Sequence, residues 1–220
     1  MREKNLQRLS ESETRISSSE YLVYKPLFRG LQSAIDSYST GKLLDIGCGN
    51  KPYESWFETK TTEYIGCDII QSNLNKVDVI CAAQSIPLPN DTFDTVFSTQ
   101  VIEHVGDHDG MLAEAFRLLK PGGKLILSGP FYWPLHEEPH DYFRYTKHGF
   151  RLVLEKAGFK VLETNPCGGK WAVTGIMIIS SIPYKPKFIS FFLNSVFSWL
   201  DRRFFDPIIT FNYVVVAEKP

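Results

Sequence analysis

Short apolar runs alternate with amphipathic stretches along most of the chain. KLLDIG (42–47) is an apolar run that ends in glycine, the pattern of a buried strand entering a tight turn. EYIGCDI (63–69), the weaker VDVICA (77–82), FDTVFST (93–99), GKLILSGP (123–130), FKVLETN (159–165) and TFNYVVVAEK (210–219) predict six more strands. Helical spacing lies between them. Leu22, Leu27, Leu31 and Ile35 predict an amphipathic helix over about 20–38, interrupted near Pro26. Met111, Leu112, Ala115, Phe116, Leu118 and Leu119 form a second helical stripe, which Lys120, Pro121, Gly122 and Gly123 stop. GFRLVLEKAGF (149–159) is a third helix, closed by Gly158. Residues 1–20 are polar and serine-rich, a mobile segment or loose helix. Strands alternating with helices in this order predict an α/β fold, a mostly parallel sheet with helices on both faces. Such sheets bind ligands beyond the carboxyl ends of their strands.

Composition narrows the function. The chain has 220 residues, 43% hydrophobic and 22% charged, with a net charge of −1. That suits one domain and offers no global basic field for nucleic acid. Four cysteines, Cys48, Cys67, Cys81 and Cys167, stand apart without a CxxC pair. They read as free thiols in a reducing cytoplasm. The polar N-terminus carries no apolar signal region, and no apolar run is long enough to predict a membrane span.

The turn after the first strand carries the first chemistry. LLDIGCGN (43–50) places Asp45 just ahead of Gly47, Cys48 and Gly49, and the glycines let the backbone approach a ligand closely. Position 52, where a dinucleotide fingerprint wants its third glycine, is Pro52, and no GK-Ser/Thr loop is present. A carboxylate beside the turn repels a pyrophosphate and suits a cation. S-adenosylmethionine, with its sulfonium and ammonium groups, is such a ligand. Asp68, nineteen residues after Gly49, ends the second strand, where a carboxylate can accept hydrogen bonds from two ribose hydroxyls.

Together LLDIGCGN, YIGCDI, AAQSIPLPNDTFDTVFSTQVIEHV and LKPGGKLILSGP resemble the successive motifs of class I S-adenosylmethionine-dependent methyltransferases, in order and spacing, over about 40–165. The resemblance implies a Rossmann-like three-layer sandwich whose seven-stranded sheet has the order 3-2-1-4-5-7-6, with strand seven antiparallel. It implies Asp45, Gly47 and Gly49 around the methionine part and Asp68 on the ribose. Ala83 and Gln84 would lie at the adenine-side turn and Gln100 near the methionyl end. Two positions depart from the family: Lys51 replaces a frequent third glycine, and Ala82 replaces an aspartate that binds the adenine amino group. Adenine is then expected to rest on backbone groups and on Ile69 and Ile86.

Methyl transfer to a hydroxyl needs alignment and a base. Glu103 and His104 follow the fourth strand, either as loop supports or as chemistry. The stretch GPFYWPLHEEPHDYFRYT (129–146) follows the fifth. It reads as an acceptor pocket and lid, with His136 or His140 as base beside His104. Tyr132, Trp133, Tyr142, Arg144 and Tyr145 then contact substrate. A structural reading has Asp141 pairing with Arg144 while Tyr142 and Phe143 pack. His136, Glu137 and His140 offer metal ligands, but their loop spacing defines no geometry, and no metal is assigned.

Residues 1–38 are taken as an N-terminal segment and helix, and 39–220 as the catalytic domain with an insertion over about 166–209. That insertion, WAVTGIMIISSIPY and then FISFFLNSVFSWLDRRFF, is apolar and aromatic. Over 170–205, Lys170, Lys185, Lys187, Arg202 and Arg203 stand against Asp201 alone, a net charge of +4. It suits a cap over a greasy substrate, a homodimer interface, or an interfacial helix on a membrane. The expected activity is O-methylation of a small molecule or a lipid-linked glycan. GCGNKPY and HDYFRYT resemble bacterial enzymes acting on such acceptors. The rivals are C-methylation of a quinone-like lipid and cofactor binding without turnover. The expected location is the cytoplasm, with the insertion free to touch membrane.

Overall fold

The computed structural model describes residues 12–184 and 186–220. Residues 1–11 and Lys185 lie outside them, and with them part of the expectation for residues 1–20; residues 12–20 form turns rather than a helix. Helix α1 (Tyr21–Tyr38) buries Leu22, Leu27, Leu31 and Ile35 on one face. Contrary to expectation it runs unbroken through Pro26. Only one helical hydrogen bond is lost there, near the start, and the continuous apolar stripe outweighs it. Gly30 lets the helix lie close on the sheet, since a Cβ there would stand 3.0 Å from Cys167 Sγ and 3.3 Å from Val214.

The strands are β1 (Gly41–Ile46), β2 (Thr61–Asp68), β3 (Val79–Ile80), β4 (Phe93–Thr99), β5 (Leu119–Pro130), β6 (Lys160–Cys167) and β7 (Asn212–Glu218). They form a seven-stranded sheet of order β3-β2-β1-β4-β5-β7-β6. β7 pairs antiparallel with both β5 and β6, and the other pairings are parallel. Both faces of the central strands are covered, which is why they read as continuous apolar runs. Leu44, Leu125 and Leu127 face a core shared with helices α3 (His108–Leu118) and α4 (Lys147–Lys156). Leu43, Phe97 and Ile126 face a second core under α1 and the short α2 (Glu54–Phe57).

The second predicted helix stops earlier than its stripe, at Leu118, and β5 already begins at Leu119. Its register on β4 shifts between Phe93–Leu119 and Thr95–Lys124. Lys120 to Gly123 therefore bulge out of the ladder, with Gly122 in a left-handed conformation at φ 81°. The third helix ends as expected at Gly158, φ 96°, and the Thr146 hydroxyl caps its start by accepting from the Gly149 amide.

Between β6 and β7 the insertion forms a helical hairpin, α5 (Lys170–Ser180) and α6 (Lys187–Arg203). It closes a third apolar cluster with Leu22, Val23, Trp133 and Phe211. Among the described residues no helix is long and apolar enough to cross a membrane. All four cysteines are free thiols.

Candidate active site

The chain leaves β1 through three left-handed residues, Gly47 (φ 77°), Gly49 (φ 50°) and Lys51 (φ 52°). A Cβ at Gly47 would meet Val101 at 2.4 Å, so only glycine leaves this floor open. The Gly49 amide donates to Asp68 Oδ2 at 3.1 Å, and the Ile69 amide donates to Oδ1 at 2.7 Å. The carboxylate at the end of β2 is thereby fixed against the turn. Lys51 keeps the conformation that favours glycine and turns its side chain inward. Its ammonium lies 2.6 Å from Asp78 and above the Tyr64 ring. Asp78 also accepts from the Gly66 amide, so the lysine ties the turn to the loop ahead of β3.

Asp45 is buried and accepts the Tyr64 hydroxyl proton. Burial pushes its carboxyl up to about 7; the neighbouring Asp68 charge adds to this, and Tyr64 and Lys51 oppose it. All nine residues expected around the cofactor line two joined cavities. Asp45, Cys48, Gly49 and Gln100 line the smaller, about 110 Å³, and Ile69, Ala83 and Gln84 the larger, about 500 Å³; Gly47 and Asp68 line both. Ile86 does not join them. It is buried in the first core, because its own amide and carbonyl are held by Glu114 and Arg117 of α3.

His104 lines both cavities and a third, small one. It closes a 3-10 turn (Ile102–His104) after β4. Its Nδ1 sits 2.7 Å from the His140 carbonyl oxygen, so Nδ1 carries the proton and the neutral ring keeps its lone pair on Nε2. That Nε2 lies 4.0 Å from Glu137 Oε2 and 3.9 Å from Glu103 Oε1. Glu103 is buried, and neither carboxyl oxygen has a hydrogen-bond partner among the described residues. Burial pushes it up to about 8, with the charges of Asp141 and Glu137 adding and that of Arg144 opposing. Glu103, His104 and His136 bring potential ligand atoms within 4.8 Å of one another, a grouping different from His136, Glu137 and His140.

The loop after β5 divides between lining and support. Trp133 and His136 line the small third cavity, and His140 and Tyr142 line the large one. Arg144 holds both oxygens of Asp141, at 2.6 and 2.7 Å, and the carbonyls of Trp133, Pro134 and Phe143. Its donors are spent on the loop itself, so the expected substrate contact is corrected to a staple. Tyr145 is buried and stacked on Phe150 in the first core, out of reach of the cavities, because the helix that follows draws it inward. Tyr132 turns toward the insertion, its hydroxyl 3.4 Å from Met177 Sδ. Sequence reasoning missed Tyr53 and Thr99 in the smaller cavity, and Val23, Tyr24, Leu27 and Asn212 in the third. Asn212 carried a signal, a lone amide inside an apolar strand; the α1 residues carried none.

A family model described as a methyltransferase domain matches residues 44–127. A Mycolicibacterium smegmatis protein, named a probable S-adenosylmethionine-dependent methyltransferase, is 29% identical over 136 residues, 56% of this chain and 53% of its own length. The 2-methyl-6-phytyl-1,4-hydroquinone methyltransferase 1 of Oryza sativa subsp. japonica is 32% identical over 44% of this chain and 31% of its own length. A ubiquinone biosynthesis O-methyltransferase of Rhodopseudomonas palustris is 23% identical over 63% and 68%. The chain thus spans about half of the first relative's length and less than a third of the second's. Among solved structures, phosphoethanolamine N-methyltransferase 2 of Haemonchus contortus in complex with S-adenosyl-L-methionine superposes with a TM-score of 0.57 at 19% identity, covering 89% of this chain and 52% of that one. At this identity the likeness is one of fold. The domain model, the relatives and the sheet order agree: residues 44–127 carry a methyltransferase domain, set in a sheet of the order expected for class I S-adenosylmethionine-dependent methyltransferases.

Proposed function

We propose that the protein methylates a hydroxyl group of a small-molecule or lipid-linked glycan acceptor. The observation that carries this reading is the junction at Gln100, His104 and Glu137, where the smaller cofactor-side cavity meets the third cavity. S-adenosylmethionine supplies an activated methyl group. The residues present fit it: an open glycine floor, a fixed strand-end carboxylate, and a buried carboxyl that a cationic ligand would ionise. In this reading Asp45, Gly47, Cys48 and Gly49 hold the methionine part, with Gln100 beside it. Asp68 holds the ribose, and Ile69, Ala83 and Gln84 the adenine. Trp133, His136 and the first turns of α1 wall the acceptor side, and Tyr142 and His140 close the mouth. His104 is the base. With Nδ1 committed to the His140 carbonyl, its Nε2 takes the hydroxyl proton as the acceptor oxygen becomes the nucleophile.

C-methylation of a quinone-like lipid is the second reading, favoured by the hydroquinone methyltransferase relative. A screen of labelled methyl transfer onto sugar, lipid-linked and phenolic acceptors separates the two. Product with the label on oxygen is expected, and label on carbon would replace the first reading with the second. Calorimetry with S-adenosylhomocysteine is expected to show binding that Asp68→Ala weakens by tenfold or more. Absence of heat with the unmodified chain would remove the cofactor assignments. His104→Gln is expected to lower kcat on a hydroxyl acceptor by about 10²–10⁴-fold, with cofactor binding unchanged; an unchanged rate would remove His104 as base.

A further inference from the structure

Helix α6 is built inside out. Its buried residues are Ser190, Asn194, Phe197 and Asp201, three of the four polar. Each polar one has a partner or position inside. Asn194 donates to the carbonyls of Ile16 and Ser18 at 2.7 Å. Asp201 accepts from the Gly169 and Ala172 amides and so caps the start of α5. The opposite face carries Phe188, Phe191, Phe192, Val196 and Trp199, all exposed, Phe188 at 72% and Phe192 at 64%. Their spacing of three and four residues keeps them on one side through three turns. A helix that spends its polar groups inward and leaves aromatics outward does not serve the core. The outward face must be stabilised by something other than water.

The charges say what. Arg202 and Arg203 follow Trp199 on the outward side of the last turn, and Lys187 opens the helix. Both carboxylates of the segment are engaged elsewhere: Asp201 with the start of α5, and Asp206 with Lys170 at 3.0 Å. An apolar, Trp-bearing face rimmed by cations and lacking a carboxylate complements the anionic interface of a lipid bilayer, where aromatic rings settle at headgroup depth. A second copy of the chain fits less well, since it would bring more arginines to the face and no acid to meet them.

We propose that α6 is a membrane-surface docking helix that lies on anionic bilayers through Phe188, Phe191, Phe192, Val196 and Trp199, with Arg202 and Arg203 on phospholipid headgroups. The surface stands independently of the acceptor reading, and among the described residues no helix is long and apolar enough to cross the membrane.

Flotation of the full chain with vesicles tests it. The unmodified protein is expected to float with phosphatidylcholine–phosphatidylserine vesicles and to stay down with phosphatidylcholine alone. Phe192→Ser with Trp199→Ser is expected to lower partition by tenfold or more, and Arg202→Gln with Arg203→Gln by about fivefold per arginine. These residues are exposed, so unchanged calorimetry with S-adenosylhomocysteine verifies that the variants are folded. No flotation of the unmodified protein, or flotation that both double variants keep, overturns the proposal. So does a dimer in solution that Trp199→Ser dissolves while vesicles capture nothing.

Discussion

Asp45 and Glu103 are carboxyls that burial holds protonated near neutrality, at about 7 and about 8. Each is raised above its unfolded value. The folded state therefore binds more protons than the unfolded one between roughly pH 4 and pH 8, and stability falls as pH rises through that window. The fall is expected in Tm measured from pH 5 to pH 9. Glu103→Gln keeps a neutral polar group of similar shape and removes the ionisation. Its Tm is expected to match that of the unmodified chain near pH 5 and to exceed it at pH 9. A gap of at least a few degrees follows, since about 1 kcal/mol moves a chain of this size by about 2–4 °C. Parallel curves would show that Glu103 ionises without cost. Asp45 has a second consequence. A ligand ammonium beside it favours the charged carboxylate, so cofactor binding releases a proton and tightens as pH rises from 6 to 8. Calorimetry in two buffers of different ionisation enthalpy detects that proton, and Asp45→Asn is expected to abolish the dependence. The sequence made Asp45 a cation-facing group from its place ahead of Gly47. It did not reveal Tyr64, nineteen residues on, because a cross-strand partner follows from register and leaves no local pattern.

Among the elements, the loop after β5 depends on the pair Asp141–Arg144. The Asp141 side chain is almost wholly buried, and the guanidinium beside it holds its carboxyl well below the usual carboxylate range. Arg144→Ala leaves that charge buried without its main partner, at a cost of about 3 kcal/mol. The expected signs are a lower Tm and faster proteolysis within 134–141. Arg144→Lys is expected to rescue little, because a single ammonium cannot bridge two carboxylate oxygens and three carbonyls. Native-like protection in Arg144→Ala would make the pair ornamental. Eighteen residues dense with His, Glu and aromatics made this loop conspicuous in the sequence. Which of them reach a cavity depended on how the arginine folds the segment back on itself, and that geometry has no periodicity to read. The strands were legible because both faces of the sheet are covered, which leaves apolar runs. For helix α6 the sequence left a cap, a dimer face and an interfacial helix open, since its stripe of aromatics also has the spacing of a core-facing helix and only the packing reveals that it faces outward.

For the whole molecule, the two halves of the site belong to different parts of the packing. The cofactor half stands on the turn after β1 and the ends of β2 and β4, anchored in the two cores that flank the sheet. The third cavity, the acceptor half in the proposed reading, is walled by Val23 and Leu27 of α1 and by Trp133. Val23 and Trp133 also pack in the third cluster, against the hairpin of α5 and α6. Glycine at 175 lets that hairpin close, since a Cβ there would stand 2.6 Å from Phe197 and from Leu22. Phe197 is thus one of the buried side chains, with Ala172, Val173 and Ile179, through which the insertion braces α1. Phe197→Ala removes a buried ring and leaves a cavity in a cluster too small to collapse around it, at a cost of about 3–5 kcal/mol. If the halves are independent, this variant raises KM for the acceptor while the dissociation constant for S-adenosylhomocysteine stays unchanged. Loss of cofactor affinity in step with acceptor binding would instead mean that the insertion braces the sheet as a whole. Sequence alone treated α1 as a segment ahead of the catalytic domain and the insertion as a cap, a dimer interface or an interfacial helix. Their shared cluster makes them one wall, so the proposed membrane-docking face and the proposed acceptor chamber are joined by Phe197, Leu22 and Val23.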